Sequence, residues 1–559
     1  MSLRLAETHR GSMSRARRQR SSRSRQRLFT LEGLEGRVLL SGNPTYYTVN
    51  LTSDTGASSG TNVYPTADTP SGDLLWAITQ ANANTNAAGS VITFDPTAFA
   101  TPQTITLSST LVLSELAGPE VIQGAGENLL TISGGDAVGV LQVDAGAVAT
   151  LSGLTISGGN AANGGGINNG GTLTVTSSTI SNNGANNKGG GIENRGLLTI
   201  TGSTISNNTA NNNGICCFLN DFGYGGGIDN SGTLTLIDSS IAENGFIDNG
   251  LGGGINNSGM LTVTGSTIAN NGRGCCSFPQ NGGGIENSGT LTLTNSTIAG
   301  NQTAGSAFGG GVDNFGTLMA VNTTIAFNGA AGLYDEAGGT ATLDNTIVAL
   351  NTYQSGGTYR VAYDDIAGGP VSSASAYNLI GIGGSGGLTN GSNGNLVGVA
   401  DPRLAAGLAS NGGQAQTIAL LAGSPAIGAG SNALASEYSL TTDQRGAGFP
   451  RIVNGTVDIG AFESPVFGNR TVYTVNLTSD IEAFNGANAM TATSGDLLWA
   501  MTQANANTNP AGSVIEFDPA VFNSSSPKAI TLTNTLELSE APWPEVIQGP
   551  GASALTISG

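Results

Sequence analysis

The hexapeptide Gly164-Gly165-Gly166-Ile167-Asn168-Asn169 constrains this chain more than any other feature, because the chain keeps returning to it. It recurs at Gly189 to Asn194, Gly225 to Asn230, Gly252 to Asn257 and Gly282 to Asn287, and with Val312 in place of Ile at Gly309 to Asn314. The starts lie 25, 36, 27, 30 and 27 residues apart. A period in that range marks a stacked repeat architecture, in which no repeat can bury its apolar face alone.

Each repeat carries two further short apolar segments. The first alternates, as in Leu173 and Val175, Leu198 and Ile200, Leu234 and Leu236, Leu261 and Val263, Leu291 and Leu293. The second is Ser-Thr-Ile or Ser-Ser-Ile at 178–180, 203–205, 239–241, 266–268 and 296–298, closed by Asn183, Asn208, Asn244, Asn271 and Asn301. Period-2 alternation punctuated by Gly and Asn reads as strand and turn, and no repeat holds a helical stretch. Three short strands per coil, stacked at about 4.8 Å, predict an all-β parallel β-helix, a solenoid. The parallel crossover rule favours a right-handed one.

Glycine, at 87 of 559 residues, and a charged fraction of only 10% invite a reading as low-complexity disorder. The register of Ile, Leu and Val argues against it, since each strand keeps one inward stripe. Charge is segregated. Ten of the 19 basic residues, all Arg, lie in residues 1–41, leaving nine basic against 35 acidic residues over the rest, a net charge of −26. Such a body repels nucleic acid and anionic surfaces, and its field permits cations or neutral polymers as partners. No segment reaches the roughly 18–20 apolar residues of a membrane-spanning helix.

Taken in order, residues 1–44 are expected to be a disordered Arg/Ser-rich targeting segment, 45–104 a cap, 105–465 the coils, and 466–559 the start of a second unit. The cap contains Ser71-Gly72-Asp73-Leu74-Leu75-Trp76-Ala77-Ile78, whose apolar spacing predicts a short helix capped by Ser71 or Asp73. The second unit is explicit. Tyr473 to Asp480 repeats Tyr47 to Asp54, Ser494 to Ala500 repeats Ser71 to Ala77, and Gly559 is the counterpart of Gly134. The chain therefore reads as a fragment of a longer array, or as an array with a truncated second unit.

Three stretches carry resemblances. Leu31-Glu32-Gly33-Leu34-Glu35-Gly36-Arg37-Val38-Leu39-Leu40-Ser41 resembles the LExLExRxLLS motif of large exported proteins of planctomycete-type bacteria. The cap resembles the SLREAIxxAN…IxF start of bacterial β-helix surface proteins, without the Arg and Glu of that pattern. Gly423 to Gly430, Thr442-Asp443-Gln444-Arg445-Gly446 and Asp458 to Glu463 resemble the SPAIDxG…TDQRG…R…DIGAxE signature of right-handed β-helix proteins with interchangeable anchors, with Gly428 where Asp is usual. Together these imply a secreted or cell-surface protein similar to polymorphic outer-membrane, adhesin-like β-helix proteins.

Candidate chemistry is sparse. Asn169, Asn194, Asn230, Asn257, Asn287 and Asn314 are expected to stack into a structural ladder, since Asn can hydrogen-bond from coil to coil through its amide. The glycine triplets read as corners needing positive φ; no Lys-Ser/Thr follows them, so they are not nucleotide loops. The residue before each ladder Asn runs Asn168, Glu193, Asp229, Asn256, Glu286, Asp313, expected to be a solvated polar stripe. The sharper alternative is divalent-cation (Ca²⁺) binding between Glu193 and Asp229 or Glu286 and Asp313.

Catalysis finds little to work with. The one histidine, His9, lies in the tail, and only Lys188, Arg195 and Arg273 offer bases on the regular coils. The best carboxylate pair, Asp364-Asp365, is adjacent in sequence and so points to opposite faces. Cys216, Cys217, Cys275 and Cys276 sit in two insertions at the same corner two coils apart, which favours disulfides over a zinc site. Phe218, Phe222, Tyr224 and Phe278 on those insertions suggest a patch for an extracellular glycan or protein. The resulting expectation is an exported, non-catalytic structural or adhesin-like rod, its rival a polysaccharide-binding or polysaccharide-degrading, pectate-lyase-like protein.

Overall fold

The structure, a computed structural model, describes residues 42–66, 68–210, 222–246, 249–272, 280–303, 308–354, 361–464, 471–481, 484–486, 494–507, 513–532, 535–536, 545–551 and 553–558. The chain divides into two units, of which the first, Met1–Leu39, lies wholly outside these residues. The four cysteines, Arg273, Phe218 and Phe278 also lie outside them.

The described chain is a parallel β-solenoid. Its repeats contribute one strand each to three long sheets of 13, 12 and 10 strands. The first sheet takes the alternating segments, such as Thr172–Thr176 and Leu197–Thr201. The second takes the Thr-Ile-Ser type, such as Thr179–Ser181, and the third the Ile-x-Asn type, such as Ile192–Asn194. Register is unbroken. Leu173, Leu198, Leu234, Leu261, Leu291 and Leu318 pair in sequence in the first sheet. Ile180, Ile205, Ile241, Ile268, Ile298 and Ile325 do so in the second. All of these are at most 1% exposed. A one-residue slip would turn such a column outward, so the repeat fixes its own stacking.

Two asparagine ladders staple the coils. In the first, each Nδ2 donates to the next Oδ1 at 2.7–2.8 Å, from Asn169 through Asn194, Asn230, Asn257 and Asn287 to Asn314. The second runs Asn183, Asn208, Asn244, Asn271, Asn301, Asn328, Asn351 at 2.9–3.0 Å, and each Oδ1 also accepts the preceding ladder residue's backbone N–H. Both ladders end on an aspartate: Asn314 donates to Asp335 (2.7 Å) and Asn351 to Asp365 (3.1 Å). A terminal rung only has to accept, which a carboxylate does without a donor of its own.

The glycine triplet divides its labour. Only the first member takes positive φ, 59–68° in all six repeats. The third is glycine because of stacking: a Cβ on Gly166 would come 2.7 Å from the carbonyl of Gly191, and one on Gly254 2.6 Å from that of Gly284.

The cap forms as its spacing predicts. Helix Leu74–Asn82 is N-capped by Asp73, which accepts from Trp76 N (2.9 Å), and its Leu74, Ala77, Ile78 and Ala81 are buried. Asn82 pins it to the first coil, donating to Val112 O and accepting from Ser114 N, both at 2.7 Å. The second copy reproduces this at Leu497–Asn505 with Asp496 as cap.

The end of the solenoid departs from expectation. Coil strands stop at Leu396–Val397, which pairs with Leu379–Ile380, and do not continue to Phe462. Residues 400–464 instead fold back as a strap along the outer face of the second sheet. Gln444 Nε2 donates to Ser266 O (3.1 Å) and Thr267 Oγ1 (2.8 Å), Asn295 Nδ2 to Thr442 O (2.7 Å), and Ala461 N to Thr324 Oγ1 (3.0 Å). A second apolar core forms beneath it from outward Ala299, Ala326 and Ala349 with strap residues Leu404, Ile418, Leu420, Ile459 and Phe462. The strap needs a smooth surface, and these coils supply it by replacing the outward Ser of Thr-Ile-Ser with Ala.

Candidate functional site

The TDQRG and DIGAFE stretches lock the strap shut. Asp443 and Arg445 pair at 2.6 Å, and Arg445 is sandwiched between the rings of Phe449 (4.0 Å) and Phe462 (3.9 Å). Arg451 and Glu463 pair at 2.8 Å with both side chains at most 1% exposed. Arg451 also donates to Asn295 Oδ1 (3.2 Å) and Gly460 O (3.0 Å), tying the lock to the solenoid. These polar residues are bound up in the fold, and of them Arg445 also lines a small cavity beside Phe462 and Val546.

The acidic column on the third sheet is a correction to the sequence reading. It is no solvated stripe: Glu193, Asp229, Glu286 and Asp313 are 4%, 3%, 4% and 0% exposed. The glycine corner doubles back over them. A Cβ on Gly282 would lie 2.8 Å from that of Glu286, and one on Gly309 2.6 Å from that of Asp313. Glu193 and Asp229 stand in register but carry their own counter-charges: Arg195–Glu193 is 3.3 Å and Lys188–Asp229 3.8 Å, while Asn256 donates to Asp229 Oδ1 at 2.6 Å. Burial still raises both carboxyls, with the cations pulling them back. The two basic residues are therefore spoken for.

Glu286 and Asp313, also in register, have no ion-pair partner among the described residues. Both oxygens of Asp313 lack a hydrogen-bond donor. Burial raises both carboxyls, helped for Glu286 by Asp313 and for Asp313 by Glu336. The pair holds its proton well into the neutral range. Tyr334, stacked on Phe308 at 4.5 Å, lies next along this column.

The Asp364-Asp365 candidate separates as its adjacency predicts. Asp365 is buried as the terminal rung, accepting from Asn351 N (3.0 Å) and, through Oδ2, from Gly383 N (2.9 Å). Asp364 remains half-buried, its carboxyl raised by burial and then by Asp365. The two cannot act together on one bond. Of the aromatic patch, Tyr224 packs under Lys188, whose Nζ is 5.2 Å from the ring centroid.

What the solenoid presents openly is the outer face of the first sheet. Between the inward residues stand Thr172, Thr174 and Thr176, then Thr199 and Thr201, Thr233 and Thr235, Thr262 and Thr264, Thr290, Thr292 and Thr294. Thr174, Thr199, Thr235, Thr262 and Thr292 form one unbroken column in register. The interruptions are apolar, Leu197 at 44% and Met260 at 58% exposure and the half-buried Ile237, never charged. Spacing is about 4.8 Å between coils and about 6.7 Å along each strand. The sequence reading used these segments only for their inward Leu and Val; their alternate Thr was the signal it passed over.

No family model matches this chain, and no curated protein matches it. Among solved structures it is similar to the crystal structure of pectate lyase Pel9A, with a TM-score of 0.46 and 16% identity over 76% of this chain and 98% of that one. No helix among the described residues is long and apolar enough to cross a membrane.

Proposed function

We propose that this chain is an exported, non-catalytic surface rod that holds a neutral, extended polysaccharide along the threonine face of its first sheet. The observation that carries this reading is the unbroken, uncharged threonine column on a body of net charge −26. Hydroxyls at a fixed spacing suit a polymer with its own repeat, each bond adding about 0.5–1.5 kcal/mol while no desolvated charge opposes contact. An acidic polymer would meet the repulsion of the whole body. The LExLExRxLLS-like stretch at Leu31 to Ser41 supports export. The few available bases and the separated carboxylates support a role without turnover.

The test incubates the full chain with neutral glycans and polyuronates, following both retention and product release. Retention on neutral polymers alone is expected, and Thr199→Lys, Thr235→Lys and Thr262→Lys together abolish it with an unchanged melting midpoint. Product release would overturn the non-catalytic reading. Retention that survives the triple substitution would move the ligand to another face.

A further inference from the structure

The first coil buries two carboxyl groups, and at the register position of Glu120 the later coils place apolar side chains. Glu120 begins strand Glu120–Gln123 and points inward with Ile122. In register above it stand Ala149, Leu173 and Leu198, so nothing in the coil geometry demands a polar residue there. Glu115, five residues earlier, is inward as well, and each is 1% exposed. Neither oxygen of Glu120 has a hydrogen-bond partner, and Glu115 has only Ser90 beside it. Neither acid takes part in an ion pair among the described residues.

The second copy of the cap keeps the same set. Asn84, Ser90, Glu115 and Glu120 return as Asn507, Ser513, Glu540 and Glu545. Asn84 Nδ2 donates to Ser90 Oγ at 2.8 Å and Asn507 Nδ2 to Ser513 Oγ at 2.7 Å. Ser90 pairs in register with Glu120, as Ser513 does with Glu545. Between the two acids the chain is rewritten, from Leu116-Ala117-Gly118-Pro119 to Ala541-Pro542-Trp543-Pro544, yet both acids and their spacing stay. Two buried carboxylates without counter-charge cost several kcal/mol each, and apolar residues of similar size would remove that cost. Their retention points to an occupant.

We propose that the first cap binds one divalent, oxygen-seeking cation between its two buried glutamates, Glu115 and Glu120. The ligand set is all oxygen, which suits Ca²⁺ or Mg²⁺ over softer metals. An ion there would close the first coil from within, as Asn82 does from the helix side.

The experiment strips the full chain with EDTA and titrates Ca²⁺ by calorimetry. Terbium luminescence excited through Tyr47 and Trp76, whose centroids are 6.0 Å apart, gives a second readout at this cap. One equivalent at this cap is expected, lost in E115Q/E120Q together with the Tyr47/Trp76-sensitised signal. E115Q alone, which keeps one carboxylate, should weaken uptake and dim that signal, so the result stands even where the double variant folds poorly. Absence of uptake by the stripped chain, or uptake and signal unchanged in both variants, would overturn the proposal and leave the glutamates as a proton-sharing pair.

Discussion

Replacing Asn328 by Ala measures what one rung of a ladder contributes. Its Oδ1 accepts from the backbone N–H and Nδ2 of Asn301, both at 3.0 Å. Its Nδ2 donates to Asn351 Oδ1 (2.9 Å), Ile298 O (3.0 Å) and Ala326 O (3.2 Å). Alanine strands the two Asn301 donors inside a fully buried site, while Asn351 Oδ1 keeps the backbone N–H of residue 328 (3.0 Å). At about 1–3 kcal/mol for each stranded donor, the loss is about 2–6 kcal/mol. A solenoid opens locally, so the assay is native-state hydrogen exchange on peptides spanning 285–352, with 120–160 as the distant control. Asn328→Asp supplies a sharper comparison. It keeps the acceptor, loses the donor and buries a charge, so its folded pKa lies above the unfolded one. Its stability deficit should therefore be small in acid, where the protonated group can donate, and should grow as pH rises. A loss under about 1 kcal/mol in the alanine variant, or an aspartate deficit indifferent to pH, would refute the ladder as a source of stability.

Arg451→Ala leaves Glu463 as an unpaired buried charge and should cost about 3–5 kcal/mol, read as rapid proteolysis within 400–464 while the β-sheet spectrum of the solenoid persists. Ala326→Asp places a charge beneath the strap and should give the same cleavage pattern without touching the Arg451 network. The Glu286–Asp313 pair predicts a pH trend. Both carboxyls are raised by burial, so the folded state keeps protons that the unfolded chain releases near its ordinary carboxylate range. Folding then takes up protons above that range, and the melting midpoint should fall as pH climbs from about 4 through neutrality. Glu286→Gln should flatten that slope.

The sequence carries the solenoid almost completely, because every coil solves the same packing problem with the same residues. Ile192, Leu198 and Ile205 predict three inward columns, and Asn194 predicts its ladder, since each role depends only on neighbours one coil away. The strap is different. Gln444 meets Thr267 across 177 residues, and no local period announces such a contact. The signal it does leave is the change from Ser157, Ser181 and Ser206 to Ala269, Ala299, Ala326 and Ala349 at the outward position of the second sheet. The acidic column was misread for a related reason. Its alternation correctly puts Glu286 and Asp313 outside the lumen, but outward means exposed only where nothing doubles back, and Gly282 and Gly309 do.

The three faces of the rod are therefore unequal. The strap occupies the second sheet from about Ser266 to Ile347, using its outward Thr hydroxyls as anchors for Gln444 and Ala461. The glycine corners close over the outward column of the third sheet and bury its carboxyls. The first sheet keeps its outward positions uncovered over the whole run from Thr172 to Thr294, and there the chain repeats threonine where a merely solvated strand would tolerate any polar residue, including the Lys and Glu that guard open sheets. Uniformity along so long an accessible face is what a repeating ligand selects and what solubility alone does not. A single Thr235→Glu should then weaken retention of a neutral polymer while shifting stability within about 0.5 kcal/mol. Equal retention by wild type and variant would make the threonine column a product of repeat duplication alone.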